Sequence, residues 1–96
     1  MTDLNGQFDT PNGSKYLQQL CKHFAHKTDT TFTETAGTVS FAFGTAHLSA
    51  DSDGLRVRFT LREPDSEARA RMVIDKHLAR FAFREGFEQM VWQDSA

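Results

Sequence analysis

The chain has 96 residues, of which 39% are hydrophobic and 25% charged, the proportions of an ordinary globular domain and not of a disordered tail. A chain of this length buries roughly 60–65% of its unfolded surface, which gives a modest core and argues against a deep substrate cavity. The net charge of -2 disfavours a general binder of nucleic-acid phosphates, because such proteins carry a positive balance and a basic face.

The first predicted elements are a short strand over residues 6–9 and a helix that follows it. The Thr10–Pro11 pair is typical of a helix start, since threonine caps the first turn and proline there gives up a donor that has no helical partner. Gly13 weakens this first turn, so the boundary is left open as far as Asn12 or Ser14. The helix is expected to end at about residue 25 to 27.

The middle of the chain predicts four antiparallel strands. The first is expected over residues 31–36, with a turn at Gly37–Thr38. A two-residue turn at Gly44–Thr45 then places six apolar residues on one face, as a half-buried sheet requires. Asp53–Gly54 is the strongest hairpin signal, and residues 55–62 after it alternate apolar and polar without a break. The pairs expected across the Gly44–Thr45 turn are Phe43 with Ala46, Phe41 with Leu48, and Val39 with Ala50.

The last predicted elements are a helix over residues 66–84, capped by Asp65 and ended by Gly86, and a strand over residues 88–93. The order is strand, helix, four-strand meander, helix, strand. Two helices must bury apolar stripes, and the sheet offers one apolar face. We therefore expect an α+β fold, a two-layer sandwich with both helices on one face of an antiparallel sheet.

The single cysteine and the hydropathy of the chain indicate a cytoplasmic protein. Cys21 has no second thiol with which to form a disulfide or a CxxC pair. Residues 1–10 lack the positive start and apolar run of a signal peptide, and no stretch approaches the ~20 apolar residues of a membrane span. We expect one domain over residues 1–96, with an ordered core from about residue 6 to 93.

Residues 20–27, LCKHFAHK, suggest either a binding rim or an ordinary amphipathic helix. At ~100° per residue, Cys21 and His23 lie about 160° apart on either side of the apolar stripe, so they cannot bind one metal ion together. His23 and His26 are about 60° apart, but two imidazoles supply at most half of a zinc shell. With Lys22 they form either a solvated rim or a ligand contact, and no metal site is predicted. The apolar stripe comprises Tyr16, Leu17, Leu20 and Phe24.

His77 falls inside the apolar stripe of the second predicted helix, and two interpretations of it stay open. It is either a core histidine that is hydrogen-bonded to a backbone carbonyl or to Tyr16, or an imidazole that lines a helix–sheet pocket with Tyr16 and Trp92. In both cases burial should lower the pKa of His77, so that stability falls on acidification. The stripe comprises Ala70, Val73, Ile74, Leu78 and Phe81.

Three arginines are expected in a row on the sheet face away from the helices: Arg56, Arg58 and Arg62. Such a row contacts an anion or an acidic partner, or else it is solvated and paired with acidic neighbours such as Asp51 and Glu63. No aromatic residues interleave with it, which disfavours binding of single-stranded nucleic acid.

Three separated stretches, taken in order, resemble one protein family. They are SKYLQQLCKHFAHK (14–27), HLARFAFRE (77–85) and VWQ (91–93). They resemble the small bacterial proteins catalogued as domain of unknown function 2218, over residues 10–92. The serine, the tyrosine–leucine pair and the lysine–histidine pair that are typical of the family's first helix correspond to Ser14, Tyr16–Leu17 and Lys22–His23.

The resemblance implies no assigned reaction and no catalytic residues. Members of the family occur near, or fused to, siderophore-interacting flavin reductases, which implies a link to cytoplasmic iron handling. We therefore expect a non-enzymatic binding or accessory module that needs no cofactor and has such a reductase as its partner. The element order also resembles TATA-binding-protein-like and helix-grip folds, which bind through the outer sheet face or the helix–sheet gap.

Two alternatives to the binding module stay open. The first is a small enzyme or a cofactor-binding domain that uses a helix–sheet pocket around His77 and Tyr16. The second is a homo-oligomer, because the strands near both chain termini are expected to be unprotected sheet edges.

Overall fold

The computed structural model describes residues 2–94, and the single domain expected over residues 1–96 thus has residues 1, 95 and 96 outside the described range. Six strands and two α-helices occur within residues 2–94, in the predicted order, and the fold is α+β. Neither helix is long and apolar enough to cross a bilayer. The elements are β1 (Thr2–Asp9), α1 (Gly13–Ala25), β2 (Thr30–Phe32), β3 (Ala36–Phe41), β4 (Gly44–Ala50), β5 (Gly54–Leu61), α2 (Glu67–Phe81) and β6 (Val91–Asp94).

The strands form one antiparallel sheet in the order β2-β3-β4-β5-β1-β6. The central meander from β2 to β5 is confirmed. The chain's first strand, β1, lies between β5 and β6 and is paired on both sides. The expectation of an edge strand near each terminus is therefore wrong at the N-terminal end, where pairing on both sides satisfies the backbone groups of β1. The edges are β2 and β6.

One face of the sheet is apolar, and the two helices cover it. The alternation predicted for β5 is confirmed, since its four apolar side chains are 0–1% exposed: Leu55, Val57, Phe59 and Leu61. The predicted stripe of α1 is fully buried, and the predicted stripe of α2 has three fully buried residues and two partly buried ones. Burial of each large apolar side chain is worth about 1.5–3 kcal/mol, so this interface is the main source of stability. The α2 residues are Ala70, Ile74 and Leu78, with Val73 and Phe81 beside them.

The predicted turns in the meander are shifted, although the predicted faces are correct. The β3–β4 loop lies at Ala42–Phe43 and not at Gly44–Thr45, so that Val39 pairs with Ala46. The loop lies two residues earlier than predicted, so the partner of Val39 moves by four residues, from Ala50 to Ala46. An even change of register keeps every side chain on its face. Gly44 serves a close approach and not a turn, because a Cβ there would lie 2.4 Å from the carbonyl oxygen of Thr60.

The first hairpin shows a similar shift. The strand expected over residues 31–36 is β2, Thr30–Phe32, and its loop to β3 spans residues 33–35 instead of Gly37–Thr38. Thr33 organises this loop, since its hydroxyl accepts the backbone N–H groups of Thr35 and Ala36. The hydroxyl of a short side chain thus stabilises the turn, which had been expected at a glycine.

The first helix lies within its predicted bounds, and the second is shorter than predicted. The N-cap of α1 is Asn12, because Thr10 uses its hydroxyl to accept the Asn12 N–H and not to cap the helix. In the second helix, a 3-10 turn at Pro64–Ser66 replaces the cap expected from Asp65. The helix ends at Phe81 and not at residue 84, and a further 3-10 turn, Phe83–Glu85, carries Glu85 towards the start of α1.

Trp92 holds the last strand to both layers of the fold. Its indole Nε1 donates to Oδ2 of Asp75 on α2 at 2.9 Å, and Oδ1 of Asp75 accepts the Met90 N–H at 2.9 Å. The indole ring rests on Gly6 of β1, where an added Cβ would lie 2.7 Å from two ring carbons. A side chain at residue 6 would therefore force the indole ring out of this position.

We expect the substitution Gly6→Ala to destabilise the protein by about 1–3 kcal/mol, because its methyl group displaces the Trp92 ring. The measurement is urea unfolding followed by the fluorescence of the single tryptophan. Gln7→Ala is the matched control, since Gln7 is exposed on the same strand and should change stability by at most about 0.5 kcal/mol. Equal stability of the two variants would contradict this account of how β6 is held.

Candidate functional site

The outer face of the sheet, opposite the helices, carries a groove of about 770 Å³. Its volume is in the range of small-ligand sites. Cross-strand register builds it from two rows of four residues that cross β6, β1, β5 and β4. One row is Gln93–Asn5–Arg58–His47 and the other is Val91–Gln7–Arg56–Ser49. We call this feature the outer groove.

The two arginines of the outer groove differ in their electrostatic state. Arg56 donates from Nη1 to Oδ2 of Asp51 at 2.9 Å. The other oxygen of Asp51 accepts the N–H groups of Asp53 and Gly54, which closes the β4–β5 hairpin. These bonds, led by that from Asp53, hold the pKa of Asp51 below its usual value. Arg58 forms no ion pair with any residue in the range 2–94, and its charge faces the groove.

Only two of the three arginines in the predicted row line the outer groove. Arg56 and Arg58 lie in β5 on the outer face, and the pairing of Arg56 with Asp51 matches the solvated alternative. Arg62 lies beyond the end of β5, where its backbone N–H donates to the Phe43 carbonyl, and it does not line the outer groove. The groove instead gains His47 and carboxamides that the sequence did not single out.

His23 and His77 meet between the two helices. Their ring centroids are 4.5 Å apart with an interplanar angle of 78°, and the Phe24 ring lies 5.2 Å from His77. His23 Nε2 and His77 Nδ1 are buried and have no hydrogen-bond partner within the described chain. The predicted bond from His77 to a backbone carbonyl or to Tyr16 is therefore not made by its buried nitrogen. Gln19 Oε1 and Arg71 Nε share this property, so it does not single out the histidine pair.

Positive charge surrounds the histidine pair. Burial is the largest cause of a pKa of about 4 for His77, and His23 and the cations Arg80, Lys27 and Lys76 contribute to the lowering. Burial is again the largest cause for His23, and Lys27 and Arg80 add to the lowering of its pKa. We call this feature the interhelical basic cluster. It comprises His23, His26, Lys27, Lys76, His77 and Arg80.

The helical-wheel separation of the LCKHFAHK residues agrees with the structure. Cys21 is fully buried next to Gly37 of β3, and burial raises the pKa of its thiol to about 11, so it is an inert core residue. Lys22 and His26 are exposed. His23 is not a rim residue but turns towards α2. No group of three or more His, Cys, Asp or Glu side chains placed to hold a metal ion occurs among the described residues.

Tyr16 belongs to a carboxylate cluster that sequence reasoning missed. Its hydroxyl donates to Oε2 of Glu85, which also accepts from Asn12 Nδ2 at 3.1 Å, and Thr10 Oγ1 donates to Oε1 of Glu85 at 2.7 Å. The bond from Tyr16 is the largest cause of a lowered pKa for Glu85, and burial followed by Glu85 raises the pKa of Tyr16 to about 12. The cluster ties the end of β1 to the segment after α2. No local signal in the sequence links these distant residues.

The three expected pocket residues lie in different places. Tyr16 is at the Glu85 cluster, His77 is beside His23, and Trp92 lines a second cleft of about 840 Å³ between α2 and β6. Neither the outer groove nor this second cleft is lined by Tyr16 or His77. Since His23 is seven residues from Tyr16, the two histidines are displaced by about 10 Å along α1 from the tyrosine.

Comparison with known proteins identifies the family. A family model described as an uncharacterized protein conserved in bacteria, DUF2218, matches residues 5–93. The chain belongs to this family. The resemblance expected from the three sequence stretches is thereby confirmed, and the match covers both helices and the outer groove.

A solved structure shares the DUF2218 chain's fold. It is the NMR structure of PA4090 from Pseudomonas aeruginosa, which has a TM-score of 0.78 and 29% identity and covers 97% of this chain and 96% of its own. No curated protein matches the chain. Because the DUF2218 family is uncharacterized, membership assigns neither a reaction nor a ligand to the residues described above.

We expect acidification to destabilise the protein through His77. The unfolded ring charges below a pH of about 6.5, while the folded ring stays neutral to a pH of about 4, so folding loses free energy between these values. In the wild type this loss of unfolding free energy should be on the order of 2 kcal/mol, and in His77→Gln it should disappear. Urea unfolding at both pH values measures it. His26→Gln, at an exposed histidine, is the control and should keep the wild-type acid dependence. An unchanged acid dependence in His77→Gln would show that the ring is not held neutral.

Proposed function

We propose that this DUF2218 protein is a non-enzymatic binding module whose outer groove receives a small ligand that carries a carboxylate. The observation that supports the proposal is Arg58, a cation without an ion pair in the described chain, at the centre of a row of hydrogen-bonding residues. Asn5 and His47 flank it on the neighbouring strands. A guanidinium group binds a planar carboxylate through two parallel hydrogen bonds, which suits this position.

The second row of the outer groove supports a ligand that is larger than one carboxylate. Gln7 and Ser49 flank Arg56, and Asp51 already neutralises part of the Arg56 charge. The row therefore offers neutral hydrogen bonding beside one free cation. Val91, which is 70% exposed, adds an apolar contact at the β6 end of the groove. Sites of this kind use a few polar groups for orientation and apolar contact for affinity.

We further propose that the module serves iron–siderophore metabolism as an accessory to a siderophore-interacting flavin reductase. The family resemblance supports this partner, since members of the family occur near or fused to such reductases. The outer groove supports it indirectly, because it lies opposite the helices and remains accessible to a partner. The exposed edge strand β6 borders the same surface.

We expect citrate to bind the outer groove and to shift the backbone NMR signals of β1, β4 and β5. Arg58→Gln should weaken this binding by about tenfold, because it removes one charge-assisted hydrogen-bonding partner. Arg62→Gln is the matched control: it makes the same charge change outside the groove and should weaken binding by less than about twofold. Equal weakening in both variants, or shifts confined to the helices, would reject the outer groove as the site.

We expect a siderophore-interacting flavin reductase to be recovered when the tagged protein is used as bait in lysates of its native bacterium. Recovery should differ between iron-limited and iron-replete growth, and Arg58→Gln should reduce it if the outer groove takes part. Mass spectrometry identifies the captured proteins. Absence of any such reductase under both growth conditions would contradict the accessory role while leaving the citrate result intact.

A further inference from the structure

Carboxamide side chains lie around Arg58 in the outer groove. Asn5 is its neighbour across β5 and β1, and Gln93 follows Asn5 across β1 and β6. Gln7 stands two residues along β1 in the second row, and Gln89 lines the groove just before β6. Neighbouring strands are ~4.8 Å apart, and alternate residues of one strand are about 6.6–6.8 Å apart. The carboxamides of β1 and β6 are thus placed within about 10 Å of the arginine, measured along the backbone grid.

The charges of the outer groove favour a ligand with a single negative charge. Asp51 already pairs with Arg56 at 2.9 Å, and Asp9 adds a carboxylate to the lining. A second carboxylate on the ligand would lie beside an acid, or beside an arginine that is already paired, and would gain little there. Arg58, in contrast, has no ion pair among residues 2–94. We therefore expect one carboxylate on the ligand and a neutral remainder.

The neutral remainder of the ligand meets groups that both donate and accept hydrogen bonds. Gln7 uses Nε2 to donate to Oδ1 of Asp9 at 2.7 Å, so its Oε1 is left as an acceptor for a ligand donor. Ser49, in the same row, has a hydroxyl that can do both. An alcohol group suits such a surface, because it donates and accepts through one atom and rotates to fit. The two rows contain no Phe, Tyr or Trp ring on which a flat aromatic acid could stack.

We infer that the ligand of the outer groove is an open-chain polyhydroxy monocarboxylate, the chemistry of a sugar acid. This inference rests on the proposed function, since it takes the carboxylate on Arg58 from there and adds what the rest of the ligand carries. The carboxylate accepts two parallel hydrogen bonds from the guanidinium. The hydroxyls then extend over Asn5 towards Gln93, a distance of two strand spacings or ~10 Å, which is comparable to an extended six-carbon acid.

Three six-carbon probes separate the two parts of this ligand. Gluconate has the carboxylate and the hydroxyls, hexanoate keeps only the carboxylate, and sorbitol keeps only the hydroxyls. In NMR titrations at neutral pH and constant ionic strength, we expect gluconate to bind at least about fivefold more tightly than either of the others. Acetylglycylglycine, a monocarboxylate with amides in place of hydroxyls, should also bind more weakly than gluconate.

Carboxamide variants test which side chains contact the hydroxyls. Gln7→Ala and Gln93→Ala should each weaken gluconate binding by about threefold or more and leave hexanoate binding unchanged, because hexanoate has no hydroxyl to lose a partner. Gln18→Ala is the matched control, since this carboxamide lies on α1, on the other side of the sheet, and should affect neither ligand. Arg58→Gln should weaken gluconate and hexanoate alike.

The outcomes distinguish failure of this inference from failure of the carboxylate site. If hexanoate or acetylglycylglycine binds as tightly as gluconate and still depends on Arg58, the polyhydroxy ligand is rejected and the carboxylate site stands. Equal effects of Gln7→Ala and Gln18→Ala on gluconate binding would reject it as well. If Arg58→Gln changes neither gluconate nor hexanoate binding, or if no carboxylate binds, the carboxylate site fails and this inference fails with it.

Discussion

The structure depends on burial of one face of the sheet beneath two helices. β5 sets this constraint, because its side chains alternate strictly and the inner ones are almost entirely buried. The neighbouring strands must match the alternation of β5, so their polar residues are directed to the opposite face. β1 and β6 continue the sheet beyond β5, and Trp92 closes the inner layer by resting on Gly6. The polar rows of the outer groove are therefore a consequence of core formation.

Sequence periodicity predicts faces well and boundaries less well. The apolar positions of β5, α1 and α2 were assigned correctly because alternation and helical spacing act over several residues and average out local exceptions. The turn at Gly44–Thr45 was misplaced because glycine marks either a turn or a close approach, and at Gly44 the neighbouring β5 backbone decides between them. The end of α2 was misplaced because Glu85 leaves the helical path to accept bonds from Thr10 and Tyr16.

The candidate sites show the same division between local and long-range information. Arg56 and Arg58 were placed correctly on the outer face, since strand alternation alone determines it. Asn5 and His47, which flank Arg58, depend on the pairing of β1 and β4 with β5, and no local pattern states which strands become neighbours. His23 was expected at a rim, and its contact with His77 follows from how two helices pack over the sheet. The face on which a side chain lies was predictable for the arginines, whereas the residues from other elements that lie next to a given side chain were not.

The net charge of the chain does not show which charged side chains are paired in the folded protein and which are not. Three carboxylates are engaged in holding the fold: Asp51 at a hairpin, Asp75 at Trp92 and Glu85 at the start of α1. Their negative charge is confined to structural contacts, and it is not available to balance the charge of Arg58 in the outer groove. Arg58 on the sheet and Arg80 on the helical layer thus remain without acidic partners in the described chain, although the chain as a whole is slightly acidic. Composition disfavours a general phosphate-backbone binder, because that function needs one continuous basic face. It does not exclude a compact anion site on one face of the sheet, since such a site needs only a few unpaired cations and nearby hydrogen-bond donors.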